Sequence, residues 1–245
     1  MIRLHIFPDA LKGTPNPSQF CVKLEAVFRL AGVPYEICPE TNPATGPKGK
    51  LPFIEFEGER VGDSALILDY LKEKIGLDLD DGLTSSERAL SHMIERLVEE
   101  RLYWVIVHSR WIDNWMQTKA AIFGNTLFFP LSYFIPNAAR KSIRRALVGH
   151  GLGRHTREEI YQFGARDLAA LSVLLGDKPF FFGETPRLAD VTVYSALVNI
   201  IGPDICSPLR DTALSHENLV GHTERMGEIF AARRPRTRLV LTRAA

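Results

Sequence analysis

Cysteine is scarce in this sequence, and so are long apolar runs. Only Cys21, Cys38 and Cys206 occur among 245 residues. Because their number is odd and their spacing is wide, no disulfide framework is predicted, and reduced thiols in a cytoplasmic compartment are expected. No cysteine and histidine cluster has the spacing of a zinc site, so no metal is predicted. The longest apolar run, residues 102–107, is too short to span a membrane.

An excess of charge of one sign is also absent. The sequence has 30 basic and 29 acidic side chains and a net charge of +1, so the chain as a whole is not drawn to nucleic acid or anionic lipid. Basic side chains cluster at residues 140–145 and 233–243, but such runs are more often solvated faces than nucleic-acid sites. Residues 1–12 alternate polar and apolar side chains, which is not the pattern of a signal peptide. Neither a nucleic-acid partner nor a membrane span is predicted.

The first third of the chain has the pattern of a small α/β sheet. Alternating apolar residues predict strands at 2–6 and 33–37, with a helix at 20–31 between them. Residues 52–56 predict a third strand, and a turn at 57–59 leads into a short partner strand. The order βαβ followed by ββα predicts one parallel strand pair with an antiparallel hairpin beside it.

Helical patterns dominate from Ser64 onward. The helix that begins there is expected to bury five apolar side chains, Leu66, Ile67, Tyr70, Leu71 and Ile75. Capping boxes at residues 84–87 and 156–159 begin two further helices, and the apolar residues 190–201 predict a buried one. A segment rich in proline and aromatic residues, 123–136, is predicted to lie between helices.

These patterns divide the chain into two domains. Residues 1–76 are predicted to form an α/β domain, residues 77–84 a linker, and residues 85–245 an all-helical domain. Chemistry is then sought at the ends of the strands and at the helix starts, where loops present side chains and backbone groups.

The start of the first helix is one candidate site. Ser18 stands at the helix N-terminus, where unpaired N–H groups and the helix dipole favour an anion such as a thiolate. A hydroxyl there can donate a hydrogen bond to that thiolate, and Cys21 follows one turn later. The alternative interpretation is that Ser18 is a plain N-cap and Cys21 a small buried apolar residue.

Two further helix or strand starts carry candidate residues. Pro52 opens a strand after a glycine-rich loop; a cis bond there would leave the Leu51 backbone free to pair with an extended ligand, whereas the alternative is a strand-edge stop. Asp63 and Ser64 begin a helix. They suit the amino and carboxylate groups of an α-amino acid, or they form a simple N-cap pair. No histidine pairs with a serine or cysteine at a spacing that indicates a catalytic triad.

Together these weak motifs resemble the glutathione S-transferase superfamily, in particular its failed-axon-connections/metaxin-like branch. The motifs are SQFCVKLE at 18–25, PKGKLPFI at 47–54, GDSxxI at 62–67, GHGxGRHT at 149–156, GExPxxAD at 183–190, NL at 218–219 and RM at 225–226. Each motif is short, but their order and spacing extend over nearly the whole chain. The resemblance implies a thioredoxin-like α/β domain followed by an all-α domain, and in most members a two-fold homodimer.

The resemblance also implies roles for individual residues. Ser18 would face the sulfur of glutathione, and the cis-proline position falls on Pro52. The backbone of Leu51 would pair with the cysteinyl part, and Lys50 would meet the glycyl carboxylate. The γ-glutamyl group would be held by an acid–serine pair, here Asp63 and Ser64. A small hydrophobic electrophile is expected between the domains, against Trp104, His108, Trp111, Phe128 and Tyr133.

Departures from the family pattern leave alternatives open. Gln19 stands where many members carry proline, so Thr14 or Asn16 is an alternative to Ser18 for contact with the thiol. Three hypotheses follow: a glutathione transferase, a glutathione-dependent thiol reductase that uses Cys21, and a non-catalytic binding or scaffold protein with the same fold. Arg187 stands where the family often has serine or threonine three residues before Asp190.

Overall fold

A four-stranded mixed sheet forms the first part of the structure, a computed structural model that describes residues 1–124 and 130–233. Its elements are β1 (Ile2–Ile6), α1 (Gln19–Ala31), β2 (Tyr35–Pro39), β3 (Phe53–Phe56), β4 (Glu59–Gly62) and α2 (Ser64–Ile75). The strand order is β2-β1-β3-β4, with β1 parallel to β2 and antiparallel to β3, and β3 antiparallel to β4. The predicted order and directions of the strands are confirmed, although β2 begins at Tyr35 and not at residue 33.

Alternation in β1 decides which of its side chains enter the core. Ile2, Leu4 and Ile6 are at most 4% exposed, and they pack in one core with apolar side chains of α1 and α2. Fully burying a side chain of this kind contributes about 1.5–3 kcal/mol. The sheet domain is therefore held together by the residues that the period-two pattern identifies.

Helix α2 buries fewer side chains than its sequence predicts. Ile67 and Leu71, four residues apart, are completely buried against the sheet. Leu66 and Ile75 are 47% and 44% exposed, so the prediction that they are buried is wrong. The physical reason is that five apolar residues within ten positions cover more than one face of a helix, and only one face meets the sheet.

The second part of the structure is helical. Its elements are α3 (Ser85–Arg96), a π-helical segment (Leu97–Leu102), α4 (Tyr103–His108), a second π-helical segment (Ser109–Asp113), α5 (Trp115–Phe123), α6 (Leu131–His150), α7 (Arg157–Leu175), α8 (Leu188–Ile201), α9 (Pro208–Leu214) and α10 (Glu217–Ala232). Both predicted capping boxes are present, at Thr84 with Glu87 and at Thr156 with Glu159. Helix α6 begins at Leu131 and continues through Pro136, inside the segment that was expected to lie between helices.

Helix α8 joins the two parts. It packs against α1 of the sheet domain and against α3, α9 and α10 of the helical domain. Val191 and Tyr194 belong to the core around the sheet, whereas Val193, Ala196 and Leu197 belong to the helical core. This double role explains why the sequence of α8 is apolar on nearly every face. In residues 1–124 and 130–233, no helix combines the length and the apolarity that crossing a bilayer requires.

Candidate functional site

The loop between β1 and α1 is organised by Asn16, which is 1% exposed. Its Nδ2 donates to the Phe7 carbonyl at 2.6 Å, and its Oδ1 accepts the Ser18 N–H at 3.0 Å. Thr14 Oγ1 donates to the Asn16 carbonyl at 3.1 Å. The Asn16 amide is thus occupied by the turn that it forms, and the Thr14 hydroxyl is bonded within the loop. This geometry favours Ser18 over these two residues as the group that meets a ligand.

Ser18 occupies the N-cap position of α1 without using its side chain as a cap. The residue is half-buried, and its hydroxyl lies within hydrogen-bonding reach of the Cys21 thiol. Because the hydroxyl does not satisfy the helix N–H groups, it can donate to an anion that binds at the N-terminus of α1. Ser18 is thus the N-cap residue of α1 by position, as the sequence predicts, but its side chain does not cap the helix.

Cys21 is completely buried, and this burial determines its chemistry. Burial raises the pKa of the Cys21 thiol to about 12, despite opposing contributions from the Phe7 backbone and the Ser18 hydroxyl. Reactive cysteines are thiolates that solvent or a substrate can reach. Cys21 is shielded from solvent and its thiol stays protonated at neutral pH, so the structure disfavours the reductase hypothesis.

This contrast among the cysteines predicts the outcome of thiol labelling. Cys206 is exposed, whereas Cys21 and Cys38 are buried and burial raises the pKa of both. We expect a thiol reagent such as DTNB to modify one cysteine rapidly in the native protein and all three in denaturant. The Cys206→Ser variant, as a control, should lose the rapid phase. Rapid modification that maps to Cys21 would contradict this prediction and restore the reductase hypothesis.

The loop before β3 presents backbone groups rather than side chains. The Leu51–Pro52 peptide bond is cis, and Phe53 begins β3 directly afterwards. Neither the N–H nor the carbonyl of Leu51 bonds to any residue in the described ranges. Lys50 is exposed, and its ammonium forms no ion pair within those ranges. Leu51 can therefore pair with the backbone of an extended ligand, and Lys50 is free to meet an anionic end of that ligand.

Asp63 and Ser64 begin α2. Asp63 Oδ1 accepts the N–H groups of Ala65 and Leu66 at 3.0 and 3.3 Å, while no described residue bonds to its Oδ2. The Asp63 backbone has a φ of 83°, which costs a non-glycine residue about 1–3 kcal/mol and is often found where a residue serves a ligand. Ser64 is 6% exposed, and its hydroxyl has no bond to the described part of the chain. A negative and a hydrogen-bonding group thus remain unused at this helix start.

Strand register brings these three segments to one end of the sheet. Phe53 of β3 pairs with His5 of β1 on one side and with Gly62 of β4 on the other. The loop to Ser18 leaves β1 at this end, the Leu51–Pro52 bond enters β3 there, and Asp63 follows β4 there. The antiparallel arrangement therefore gathers the three sequence motifs at one end of the sheet, where the available groups are a hydroxyl, a carboxylate and backbone N–H and carbonyl groups.

The described aromatic residues predicted to line a pocket have ring partners outside the predicted set. The ring partners are His150 for Trp104 (4.6 Å between centroids), Tyr161 for His108 (6.0 Å), Trp115 for Trp111 (5.7 Å) and Phe134 for Tyr133 (5.4 Å). His108 is buried beside Tyr161, a member of the helical core, whereas Tyr133 is 59% exposed. Phe128 lies outside the described residues. No ring contact joins any two of the four described candidates, so their shared pocket stays a prediction.

Two connections between the domains were not predicted from the sequence. Lys23 of α1, 1% exposed, donates from Nζ to Glu95 Oε2 at 2.8 Å and to Glu99 Oε1 at 2.7 Å. Arg110 donates from Nη1 to the Pro17 carbonyl at 2.8 Å. Glu99 and Arg110 lie in the two π-helical segments, which shift side chains off the regular helical spacing. The sequence signal for the contact of Lys23 with Glu95 and Glu99 was the position of this lysine among apolar residues in the 18–25 motif.

Three features lie at one end of the four-stranded mixed sheet, which precedes the helical domain. They are a serine at the start of α1, a proline directly before β3, and an acid–serine pair at the start of α2. This arrangement defines a two-domain protein of the thioredoxin-like class. Comparison with known proteins makes the assignment specific. Models of the glutathione S-transferase N-terminal and C-terminal domains match residues 19–116 and 164–226. The chain belongs to the glutathione S-transferase family, and the predicted family and fold class are confirmed.

Individual relatives differ in what their names denote. The chain is 36% identical to Failed axon connections of Drosophila melanogaster over 86% of its own length and 54% of that protein. It is 34% identical to isoprene-epoxide–glutathione S-transferase of Rhodococcus sp., over 77% of its length and 82% of the relative. It is 32% identical to metaxin-1 of Sus scrofa, over 76% of its length and 61% of the relative. The chain thus spans only about half to three fifths of the first and third of these relatives.

Solved structures support the fold. A glutathione S-transferase of Ceriporiopsis subvermispora, in complex with glutathione, aligns over 99% of both chains with a TM-score of 0.61 and 17% identity. Identity at this level shows the architecture alone. The described part of the chain contains no group of three or more histidine, cysteine, aspartate or glutamate residues that could hold a metal ion.

Proposed function

We propose that this protein binds glutathione at the end of the sheet, where Ser18, Leu51, Asp63 and Ser64 lie, and activates its thiol for attack on a small hydrophobic electrophile. The observation that carries the proposal is the register at Phe53, which gathers three unused sets of polar groups at one end of the sheet. A relative that the chain covers for 82% of its length is named as a glutathione S-transferase, which supports the same conclusion.

Each part of glutathione has a chemically matched group at this end of the sheet. Asp63 Oδ2 would accept the γ-glutamyl ammonium, while the Ser64 hydroxyl and the N–H groups of α2 would donate to the α-carboxylate. The Leu51 backbone would pair with the cysteinyl residue in the manner of an added strand. Lys50 would attract the glycyl carboxylate. The tripeptide would then extend across this end of the sheet, with its sulfur towards the start of α1.

Ser18 would act on the sulfur. Its hydroxyl and the α1 N-terminus favour the thiolate, and lowering a thiol pKa by two units requires about 3 kcal/mol of differential stabilisation. The thiol releases its proton to water, and a sulfur electron pair forms a bond to an electrophilic carbon. The electron pair displaced at that carbon departs with the leaving group, or stays on the oxygen of an opened epoxide ring. The protein supplies no nucleophile because glutathione brings one.

Three further features belong to this proposal. The protein would work as a two-fold homodimer, the commonest oligomer of soluble proteins. It would act in a compartment that keeps its three cysteines reduced. Residues 1–76, 77–84 and 85–245 would be its sheet domain, linker and helical domain. A non-catalytic binding protein is the second candidate, because the names Failed axon connections and metaxin-1 denote no reaction.

A thermal melt with reduced glutathione tests the site. At about 100 times the dissociation constant, glutathione should add about 2.7 kcal/mol, which corresponds to a rise in Tm of roughly 5–10 °C. The rise should disappear in Ser64→Ala and in Asp63→Asn. The second variant retains an oxygen that can cap α2 and removes the charge that would bind the ammonium.

Ser86→Ala is the matched control, since Ser86 is an exposed serine near the start of α3. It should keep the full rise. No rise for the unmodified protein at millimolar glutathione would contradict the proposal and leave a glutathione-free binding protein. A rise that survives both site variants would place glutathione elsewhere. The shift with and without ligand is compared for each variant, so a change in stability alone does not affect the result.

A further inference from the structure

Arg110 links the helical domain to the loop that carries Ser18. It lies in the π-helical segment Ser109–Asp113, and the residue is 7% exposed. Its Nη1 donates to the Pro17 carbonyl at 2.8 Å, and its Nη2 donates to Asn199 Oδ1 at 2.9 Å and to the Asn199 carbonyl at 2.5 Å. One guanidinium therefore holds the end of α8 and the residue just before Ser18 at the same time.

The acceptors of Arg110 are all neutral. No carboxylate in residues 1–124 or 130–233 lies within 4 Å of its guanidinium. Asn199 is in the last turn of α8, where the carbonyl groups carry partial negative charge and compensate a cation. Burial lowers the pKa of Arg110 to about 10, so the side chain is still charged at neutral pH. Within the described residues, the Arg110 guanidinium is therefore held by hydrogen bonds to neutral acceptors and not by an ion pair.

The peptide unit between Pro17 and Ser18 is bonded at both ends. Its carbonyl accepts from Arg110 at 2.8 Å, and its N–H donates to Asn16 Oδ1 at 3.0 Å. A peptide unit is planar, so two bonds on opposite sides fix its orientation. That orientation sets the direction in which the Ser18 side chain leaves the backbone. One of the two bonds comes from the loop itself, and the other comes from the helical domain.

A backbone contact holds the same loop at a second point. A Cβ atom on Gly13 would lie 2.0 Å from the Gly202 carbonyl oxygen, and one on Gly202 would lie 1.9 Å from the Gly13 carbonyl oxygen. Only glycine permits so close an approach. Gly202 directly follows α8, so this contact and the bonds of Arg110 fix the loop to the same end of the same helix.

We propose that Arg110 is a positioning residue, which directs the Ser18 hydroxyl towards the glutathione sulfur by fixing the Pro17–Ser18 peptide from the helical domain. This inference rests on the proposed function for its effect on catalysis. Its structural half, that Arg110 orders the loop, does not depend on glutathione. The two halves are therefore measured separately.

The first experiment follows hydrogen–deuterium exchange of ligand-free protein in peptides that cover residues 9–19. In Arg110→Met we expect exchange in this segment to rise clearly, because the Pro17–Ser18 peptide loses one of its two restraints. Arg210→Met is the matched control. Arg210 donates from Nε to the Ile201 carbonyl at 3.2 Å, so this variant loses a hydrogen bond at the same end of α8 but no bond to the loop. Equal exchange in the two variants would overturn the proposal.

The second experiment measures glutathione turnover. Arg110→Met should lower kcat/KM by about 10- to 100-fold, because a displaced reacting group loses the aligned geometry. The midpoint of its pH–rate profile should move upward, since a misdirected Ser18 stabilises the thiolate less. Arg110→Lys keeps the charge but reaches one acceptor at a time, and should fall between wild type and Arg110→Met.

The results separate the two proposals. A wild-type protein that neither binds nor turns over glutathione contradicts the proposed function, while the exchange data still decide whether Arg110 orders the loop. If the wild-type protein is active but Arg110→Met and Arg210→Met have the same kcat/KM and the same pH profile, the positioning role of Arg110 is overturned. Loss of kcat/KM without a shift of the pH midpoint would also overturn it, because it would indicate a purely structural effect.

Discussion

Replacing Lys23 with methionine is expected to lower the Tm by about 6–20 °C, because breaking a buried ion pair costs about 3–5 kcal/mol and each kcal/mol changes Tm by about 2–4 °C at this size. Lys23 is 1% exposed and bonds to both Glu95 and Glu99. Glu99 also accepts from Arg96, whereas Lys23 is the one cation bonded to Glu95 in the described residues. The variant therefore leaves Glu95 buried without a counter-charge.

The pH dependence of this variant has a definite sign. Burial, opposed by Lys23, already raises the pKa of Glu95, and removing Lys23 raises it further. The folded protein then holds a proton on Glu95 at pH values where the unfolded chain, with a pKa of about 4.3, has lost it. Stability therefore falls as pH rises through the folded pKa. The Tm deficit of Lys23→Met should be smaller at pH 5 than at pH 8.

Two comparisons make the Lys23 result interpretable. The double variant Lys23→Met with Glu95→Gln removes the unpaired charge and should recover a large part of the lost Tm. Lys141→Met changes an exposed lysine on α6 and should leave Tm nearly unchanged. A Tm for Lys23→Met close to that of Lys141→Met, measured by differential scanning fluorimetry and confirmed by calorimetry, would mean that the buried pair contributes little.

Replacing Asp190 with alanine is expected to lower the Tm by at least about 6 °C, because two buried donors and one partly buried donor lose their acceptor at about 1–3 kcal/mol each. Asp190 is completely buried. Its Oδ1 accepts the Phe181 N–H at 2.9 Å and lies 2.9 Å from His222 Nε2, and its Oδ2 accepts the Arg187 N–H at 2.8 Å. One carboxylate thus joins a turn, the start of α8 and helix α10.

Asp190→Asn and Asp204→Ala are the comparisons for this prediction. Asparagine keeps one oxygen acceptor in nearly the same volume, so its loss of Tm should be smaller than that of alanine. Asp204 is exposed and makes no hydrogen bond to the described residues, so Asp204→Ala should change Tm by little. If Asp190→Ala melted within a degree or two of Asp204→Ala, the three hydrogen bonds would not be a principal source of stability.

The parts of the fold that the sequence predicts are those that local patterns determine. Alternation identifies β1, and a capping box identifies the start of α7, because both depend on neighbouring residues. Ser18, Pro52 and Asp63 were identified as site candidates because each stands where a strand or helix begins. Their convergence depends on the order and direction of the strands, which bring these three starts to one end of the sheet.

The parts that local patterns miss depend on distant partners. Arg110 meets Pro17 across 93 positions, and Lys23 meets Glu95 across 72, so no periodicity reports either contact. Both Arg110 and Glu99 lie in π-helical segments, and a period of 3.6 does not predict which residues such a segment turns inward. The ring partners of the aromatic candidates are missed for a related reason, because Trp104 stacks on His150 of α6, a helix that the sequence around Trp104 does not specify.

The contact between Gly13 and Gly202 has a consequence for the order in which the chain is completed during translation. The loop that carries Ser18 leaves the ribosome before its support at the end of α8, which is made about 190 residues later and therefore about 10–40 s later at ordinary elongation rates. During that interval the strands can pair, while the loop lacks its contact with the helical domain. The Ser18 loop thus reaches its final geometry only after the end of α8 has been synthesised.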